Sequence, residues 1–200
     1  MEKPYSPSCE RNQQVILDRL KTVIQSKDKK LLEIGSGTGQ HAVFMAAQMP
    51  QITWYTSDLL VNHPGIKLWL KDAATENIIY PIEYQAGKTQ LPQVNADIVY
   101  TANTLHIMSW DNALSLIKQL GESLIVGTKI VIYGPFNYKG QFTSDSNANF
   151  DLELKKQNPQ SGIRDFELVV ENMLNENITL LEDIEMPANN RLLYFIKNEG

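Results

Sequence analysis

The fold is decided by the stretch Leu32-Glu33-Ile34-Gly35-Ser36-Gly37-Thr38-Gly39-Gln40-His41-Ala42. Residues 30–34 are mostly apolar and predict a short buried strand, whereas residues 41–49 predict a helix that ends at Pro50. The turn between them carries alternating glycines. Glycine lets a backbone turn tightly and approach a ligand, and the N-terminus of the following helix offers free N–H groups. The stretch therefore predicts a strand, a ligand-binding turn and a helix.

The glycine spacing distinguishes between two classes of cofactor. The glycines stand at Gly35, Gly37 and Gly39, whereas a dinucleotide-binding fingerprint requires its third glycine at position 40, which is Gln40. Asp58 ends the second predicted strand, 23 residues after Gly35, where a carboxylate can accept hydrogen bonds from both hydroxyls of a ribose. A turn that merely needs glycine and an aspartate that caps a helix are the alternatives. Together, the two signals favour a nucleoside cofactor other than a nicotinamide dinucleotide.

Strands and helices alternate along the rest of the chain. The predicted strands are 30–34, 52–57, 79–84, 97–102, 129–133, 178–184 and 192–196, and the predicted helices lie around 15–24, 41–49, 66–75, 110–120 and 166–174. Such alternation is typical of a doubly wound parallel sheet. Residues 185–191 alone join the last two strands, which is too short for a crossover helix. The sequence predicts a Rossmann-like α/β fold with a seven-stranded, mostly parallel sheet and an antiparallel last strand.

The composition limits the class of protein. With 200 residues, 42% of them hydrophobic, the chain fits a single domain over residues 1–200. A net charge of −5 lacks the basic footprint of a nucleic-acid-binding protein. Cys9 is the only cysteine and no His/Cys cluster has zinc spacing, so we expect no metal and a reducing compartment. No signal peptide or membrane-spanning apolar run is apparent, so we expect a soluble, cytoplasmic protein.

One stretch and three residues are candidates for an acceptor site. Residues 137–164 form the least regular stretch, rich in Asn, Ser, Gly and Gln, and predict a lid-like insertion. Asn103 and His106 follow the fourth strand, at the edge where open α/β sheets bind ligands. His106 fits a catalytic or a packing role. Arg164 fits either an acidic substrate group or a structural pairing with Asp165 and the rest of the lid.

Motifs along nearly the whole chain carry a family resemblance. They are Glu10-Arg11-Asn12, the glycine loop, Ser57-Asp58, Asn103-Thr104-Leu105-His106-Ile107, Tyr133-Gly134-Pro135, Ser146-Asn147, Phe150-Asp151, Asn158-Pro159, Gly162-x-Arg164-Asp165 and Met186-Pro187-Ala188-Asn189-Asn190. In these motifs the chain resembles the methyltransferase-like 26 family, a domain-of-unknown-function group of class I S-adenosylmethionine-dependent methyltransferases. The resemblance implies a seven-stranded fold that binds this cofactor, and it implies no acceptor.

We expect the cofactor to be held by residues from several parts of the chain. They are Arg11, Asn12, Glu33, Gly35, Ser36, Gly37, Gly39, Asp58, Gln85, Ala86 and Asn103. One position departs from the family, since Tyr84-Gln85-Ala86 stands where a Leu-Asp-Val is expected. The amide oxygen of Gln85 can still accept a hydrogen bond from an adenine amino group. We predict that Glu10-Arg11-Asn12 lies over the methionine end of the cofactor, although a solvated helix start explains this triplet as well.

The sequence therefore predicts an S-adenosylmethionine-dependent methyltransferase for a small polar molecule, with His106, Asn103 and Arg164 as candidate catalytic residues. Because the sulfonium is already activated, positioning and a desolvated pocket can supply much of the rate. A general base is needed only for a protonated acceptor. The alternative is a non-catalytic S-adenosylmethionine-binding scaffold or regulatory protein. A nicotinamide-dependent oxidoreductase is disfavoured by the glycine spacing and by the closing hairpin.

Overall fold

The computed structural model describes residues 2–73 and 75–200. The helices are α1 (Pro7–Val23), α2 (Gln40–Ala47), α3 (His63–Asp72), α4 (Trp110–Ser123), α5 (Asp145–Gln157) and α6 (Phe166–Asn175). The strands are β1 (Lys30–Ile34), β2 (Thr53–Asp58), β3 (Ile78–Glu83), β4 (Ile98–Ala102), β5 (Lys129–Gly134), β6 (Phe136–Asn137), β7 (Arg164–Asp165), β8 (Ile178–Met186) and β9 (Asn190–Lys197). A 3-10 turn, Leu60–Asn62, precedes α3. Every strand and helix predicted from the sequence is present. Most ends shift by a few residues, whereas α1 begins at Pro7 and not near residue 15. Residue 74, at the end of the helix predicted over 66–75, lies outside the described residues.

Seven strands form a mixed sheet with the order β3-β2-β1-β4-β5-β9-β8. Strand β1 pairs in parallel with β2 and β4, and β2 pairs in parallel with β3. Strand β9 runs antiparallel to both of its neighbours, β5 and β8. The predicted α/β fold, with its mostly parallel sheet and reversed last strand, is confirmed. Strands β6 and β7 form a separate parallel pair.

The described residues fall into two compact units, one ending at Thr101 and the other beginning at Ala102. In the first unit, α1 begins after Ser6, whose side chain accepts a hydrogen bond from the backbone of Cys9, and it buries one apolar face. That face consists of Ile16, Leu17, Leu20 and Val23. Val15 is only partly buried and Ile24 already lies beyond the helix, because the buried stripe follows the 3.6-residue period from Ile16.

In the second unit, a tight hairpin reverses the last strand. Strands β8 and β9 extend further than predicted, so that only residues 187–189 connect them. Ala188 and Asn189 have φ angles of 58° and 56°, the left-handed conformation that is common in tight hairpin turns. The turn explains how so short a connection can reverse the chain and place β9 against β5.

The prediction for residues 137–164 was wrong in one respect, because the stretch contains the 13-residue helix α5. Ser144 caps this helix by accepting a hydrogen bond from the N–H of Asn147 at 3.1 Å. The buried face of α5 comprises Asn147, Asp151 and Leu154. Two of these three residues are polar, so the apolar periodicity that reveals a helix in a sequence is missing. Among the described residues, no helix is long and apolar enough to cross a membrane.

Candidate functional site

The glycine loop after β1 adopts the left-handed conformation that its residue types predict. Gly35, Gly37 and Gly39 have φ angles of 72°, 59° and 91°. A Cβ atom built on Gly37 would meet no atom within 4 Å, so the space beside this residue is open. A Cβ atom on Gly39 would instead lie 3.3 Å from Ile66 of α3. Gly37 therefore leaves room for a ligand at the backbone, whereas Gly39 allows α3 to pack closely.

Asp58 lies at the carboxyl end of β2, and its carboxylate contacts the glycine loop. One oxygen, Oδ2, accepts a hydrogen bond from the N–H of Gly37 at 2.6 Å. The other, Oδ1, accepts from the N–H of Leu59 at 2.7 Å and from the side chain of Asn62 at 2.8 Å. The same carboxylate thus touches the loop and fixes the 3-10 turn that follows. These bonds hold it in one orientation beside the open space at Gly37.

Gln85 and Ala86 lie next to this end of β2. The N–H of Tyr84 donates to the carbonyl of Asp58 at 2.9 Å, which fixes the segment after β3. The carbonyl of Gln85 accepts from the N–H of Thr89 at 2.9 Å and closes a turn, while Ala86 is buried. The first unit therefore brings Gly37, Asp58 and the predicted adenine-binding position close together.

Glu33 is buried below the glycine loop. Its Oε2 accepts hydrogen bonds from Ser36 Oγ at 2.8 Å and from Trp54 Nε1 at 3.0 Å. Burial raises the pKa of the Glu33 carboxyl to about 7, and the negative charge of Asp58 adds to this, although the two hydrogen bonds act in the opposite direction. The carboxyl can therefore gain or lose a proton near neutral pH.

The N-terminal segment is attached to the helix that carries the glycine loop. Gln40 Oε1 accepts from the N–H of Ser6 at 2.5 Å, and Gln40 Nε2 donates to the carbonyl of Ser6 at 3.3 Å. Asn12 Oδ1 lies 2.7 Å from His41 Nε2, and the other ring nitrogen of His41 lies 3.2 Å from the hydroxyl of Tyr100. Burial lowers the pKa of His41 to about 4, so its ring is neutral and Nε2–H donates to Asn12.

The predicted triplet Glu10-Arg11-Asn12 is divided between two sides of α1. Asn12 is buried against His41, whereas Glu10 and Arg11 are exposed, with Arg11 donating to Ser8 at 3.2 Å. The sequence analysis did not identify Gln40 as the residue that attaches this segment. The signal available in the sequence was that Gln40 stands where a dinucleotide-binding fingerprint has its third glycine.

In the second unit, Asn103 and His106 meet beside Gly134. A Cβ atom at Gly134 would lie 3.7 Å from His106 Nδ1 and 3.8 Å from Asn103 Oδ1. Asn103 has a φ angle of 57°, in the left-handed region that asparagine enters more readily than most residues other than glycine. Its N–H donates to the carbonyl of Tyr133 at 2.8 Å. The end of β4 thus projects both candidate side chains toward the end of β5.

His106 is a buried, neutral histidine. Its ring packs edge-on against Phe150 of α5, with the centroids 5.3 Å apart. Burial lowers the pKa of the ring to about 4, and the positive charge of Arg164 lowers it further. Within the part of the chain that the structure describes, no hydrogen bond to either ring nitrogen is seen. The contact with Phe150 agrees with a packing role for His106. A catalytic role, which would use the ring nitrogens, stays a prediction.

Arg164 binds the backbone of the segment after β4. Its Nε donates to the carbonyl of Leu105 at 3.1 Å, and its Nη2 donates to the carbonyls of Met108 and of Gln160. Burial lowers the pKa of the guanidinium from its ordinary value. These partners are carbonyl groups, so Arg164 positions the chain around His106. The substrate-binding role predicted from the sequence stays a prediction.

Comparisons with known proteins place this fold in a class. The solved structure of human N-acetylserotonin methyltransferase in complex with SAM is 16% identical to the chain, with a TM-score of 0.79 over 96% of this chain and 53% of that one. An O-methyltransferase family 2 protein from Planctomyces limnophilus, in complex with apigenin, is 14% identical, with a TM-score of 0.79 over 95% of this chain and 60% of that one. The fold is that of the class I methyltransferases.

The family follows from a match over nearly the whole sequence. The chain belongs to the family described as "Protein of unknown function (DUF938)", whose model matches residues 3–197. A curated relative, O-methyltransferase aoiF of Aspergillus oryzae (strain ATCC 42149 / RIB 40), is 27% identical over 107 residues, which are 51% of this chain and 25% of that protein. The chain thus spans far less than the full length of the curated relative that it matches.

Proposed function

We propose that the chain is an S-adenosylmethionine-dependent methyltransferase that acts on a hydroxyl group of a small molecule. The observation that carries the proposal is the open space at Gly37, with the carboxylate of Asp58 held 2.6 Å from its N–H. A carboxylate at the end of the second strand of an α/β sheet suits the two hydroxyls of a ribose. The residues present thus fit a nucleoside cofactor.

Residues of the first unit would hold the cofactor. Asp58 would bind the ribose, and the loop at Gly37 would admit it close to the backbone. Gln85, beside Asp58, offers an amide oxygen to the adenine amino group, and Ala86 offers a buried apolar contact. Arg11, Asn12 and Asn103 stay predicted contacts.

The names of the relatives support methyl transfer to oxygen. The curated relative is an O-methyltransferase, and one of the similar structures is an O-methyltransferase family 2 protein bound to apigenin, a small molecule. The family match supports the coarser part of the resemblance noted in the sequence, a class I methyltransferase-like protein. Membership of the narrower methyltransferase-like 26 family, and a single domain over residues 1–200, stay predictions based on sequence motifs and composition.

The cofactor supplies a methyl group made electrophilic by a sulfonium. A hydroxyl oxygen that received this methyl group, with S-adenosylhomocysteine as the leaving group, would become strongly acidic and would have to lose its proton. The neutral ring of His106 accepts that proton. Although burial lowers the pKa of His106 to about 4, the forming ether oxygen is far more acidic, so the transfer is favourable. The ring is buried and packs against Phe150 on one side, which limits the access of water to it.

Calorimetry with S-adenosylmethionine, S-adenosylhomocysteine and NAD tests the cofactor. We expect binding of the first two, whereas preference for the dinucleotide contradicts the proposal. Formation of S-adenosylhomocysteine in the presence of a mixture of hydroxylated metabolites tests the activity. Cofactor binding without turnover in any mixture would instead support the scaffold or regulatory protein that the sequence left as an alternative.

A further inference from the structure

Among the residues that the structure describes, two side-chain oxygens of the second unit are buried without a hydrogen-bond partner. They are Oδ1 of Asn137 and Oδ1 of Asp165. Buried polar atoms in proteins are almost always paired, and an unpaired acceptor costs free energy, the more so when it belongs to a carboxylate. Two such atoms in one small element therefore require an explanation.

The two residues are neighbours in the pair of strands β6 and β7. The parallel register aligns Asn137 with Asp165. Aligned residues on adjacent strands project their side chains to the same face of a sheet. The two unpaired oxygens therefore belong to side chains on one face. Each residue as a whole is only partly buried, so the pair lies close to the protein surface although the two oxygens themselves are covered.

Neither side chain is used by the nearby backbone in a way that explains its unpaired oxygen. Asn137 Nδ2 donates to the carbonyl of Ile163 at 3.4 Å, which orients the amide and leaves its Oδ1 without a donor. Asp165 precedes α6 at the N-cap position, where an aspartate normally accepts an N–H of the first helical turn. Its side chain makes no such hydrogen bond. Asp165 therefore does not stabilise α6 through the capping hydrogen bond that an aspartate usually makes at this position.

Both strands begin close to His106. The N–H of Gly162 donates to the carbonyl of His106 at 2.9 Å, and Asp165 follows three residues later. The His106 ring lies beside Gly134, with Nδ1 3.7 Å from the position that a Cβ atom would take there, and Asn137 again follows three residues later. Three residues of extended chain span about 10 Å at most. Asn137 and Asp165 are therefore each at most about 10 Å from a residue that lies beside His106, a distance that one small molecule can span.

We propose that Asn137 and Asp165 select an acceptor that carries an ammonium group in addition to the hydroxyl that is methylated. This inference rests on the proposed methyltransferase function. An ammonium group has three N–H donors, enough for both oxygens, and its positive charge compensates the buried carboxylate. A second hydroxyl could satisfy only one of the oxygens, and a carboxylate group would be repelled. This acceptor is opposite in charge to the acidic substrate group that Arg164 suggested in the sequence.

Three probes that share a phenol ring test this selectivity. Tyramine carries an ammonium group, 4-ethylphenol carries no charge and 4-hydroxyphenylacetate carries a carboxylate. Calorimetry on the protein saturated with S-adenosylhomocysteine should show that tyramine binds roughly tenfold more tightly than 4-ethylphenol, with 4-hydroxyphenylacetate weakest. Asp165→Asn should abolish most of this preference. Asp145→Asn, which removes the same charge from the exposed first turn of α5, should retain it.

The stability of the free protein gives a second, independent readout. In Asp165→Asn, a side-chain N–H replaces one carboxylate oxygen and can donate to Asn137, so we expect the Tm to rise or stay the same. A purely structural role of Asp165 predicts a lower Tm. Equal affinities for tyramine and 4-ethylphenol, or no binding of either, contradict the inference. Calorimetry with S-adenosylmethionine on the same samples shows separately whether the proposed function itself holds.

Discussion

Gln40 and Ser6 are joined by two hydrogen bonds, in which the Gln40 side chain both accepts from the backbone N–H of Ser6 and donates to its carbonyl. Gln40 begins α2 directly after Gly39, so the helix that presents the glycine loop also attaches the N-terminal segment. Further along this segment, the carbonyl of Pro4 accepts from the Trp69 side chain at 2.6 Å. The order of the N-terminal residues is therefore coupled to the position of the cofactor loop.

Gln40→Ala should release this segment. We expect chymotrypsin to cleave after the exposed Tyr5 more rapidly, because Ser6 loses both side-chain hydrogen bonds. We also expect the affinity for S-adenosylmethionine to fall, roughly three- to tenfold, if residues before α1 cover the cofactor. Gln48→Ala, at the exposed end of the same helix, serves as the control. Faster cleavage with unchanged affinity would separate this segment from the cofactor site.

Gly37→Ala should abolish cofactor binding by filling the open space beside the loop. Gly127 offers a matched control, since it also has a positive φ angle, of 88°, and would also meet no atom within 4 Å. A Cβ atom in the left-handed region costs about 1–2 kcal/mol, so both alanine variants should lose similar stability. Calorimetry should detect binding of S-adenosylmethionine to Gly127→Ala and no binding to Gly37→Ala. Normal binding in Gly37→Ala would show that the ligand does not use this space.

Asp58→Asn should weaken the binding of S-adenosylmethionine roughly tenfold, because hydrogen bonds to a charged carboxylate are each worth about 1.5–3 kcal/mol. Asp97 is a suitable comparison. Its carboxylate accepts from the backbone N–H groups of Lys29 and Lys30, at 2.8 and 2.9 Å, and lies just before β4. Asp97→Asn should lower the Tm without changing affinity. If Asp58→Asn lowered the Tm and left the affinity for S-adenosylmethionine unchanged, the only role of Asp58 would be to fix the 3-10 turn.

Glu33 should make stability depend on pH. Its pKa is about 7 in the folded protein, against an ordinary value near 4.5, so the unfolded chain releases this proton at lower pH than the folded protein. The contribution of Glu33 is therefore fully present below pH 4.5 and is lost as the pH rises to about 7, by at most about 3 kcal/mol. Glu33→Gln keeps an oxygen for Trp54 and Ser36 but cannot ionise.

The Tm of Glu33→Gln relative to the unmodified protein should thus increase between pH 4.5 and 7. Buried histidines such as His41 affect both proteins in the same way, so the difference isolates Glu33. Parallel Tm curves over this range would mean that the carboxyl ionises at the same pH in the folded and unfolded chains.

His106→Gln should retain cofactor affinity and lose most of the turnover of a hydroxyl acceptor, roughly 100-fold or more, because proton removal by a positioned base contributes about that much. The His106 ring should stay neutral down to about pH 5, since its pKa is about 4. Imidazole NMR signals that disappear in His106→Gln identify the ring, and their titration measures its pKa. Full turnover in the variant would assign proton removal to another group or to water.

The sequence was sufficient to predict those features for which a residue type and its spacing have a single physical explanation. Left-handed glycines, the aspartate that ends a strand and the short connection before β9 were all recognisable from residue type and spacing. Helix α5 was not, because Asn147 and Asp151 occupy its buried face. The partners of Arg164 could not be foreseen either, since they are backbone carbonyls whose positions depend on tertiary structure.

The reversed strand β9 also affects how the second unit is made during translation. Strand β9 lies between β5 and β8, yet it is the last of the three to leave the ribosome. Until residues 190–197 emerge, the nascent chain carries β5 and β8 with unpaired edges, and such edges are templates for aggregation. A premature stop codon in this short stretch would therefore remove the central strand of the unit, with consequences far greater than the number of residues lost.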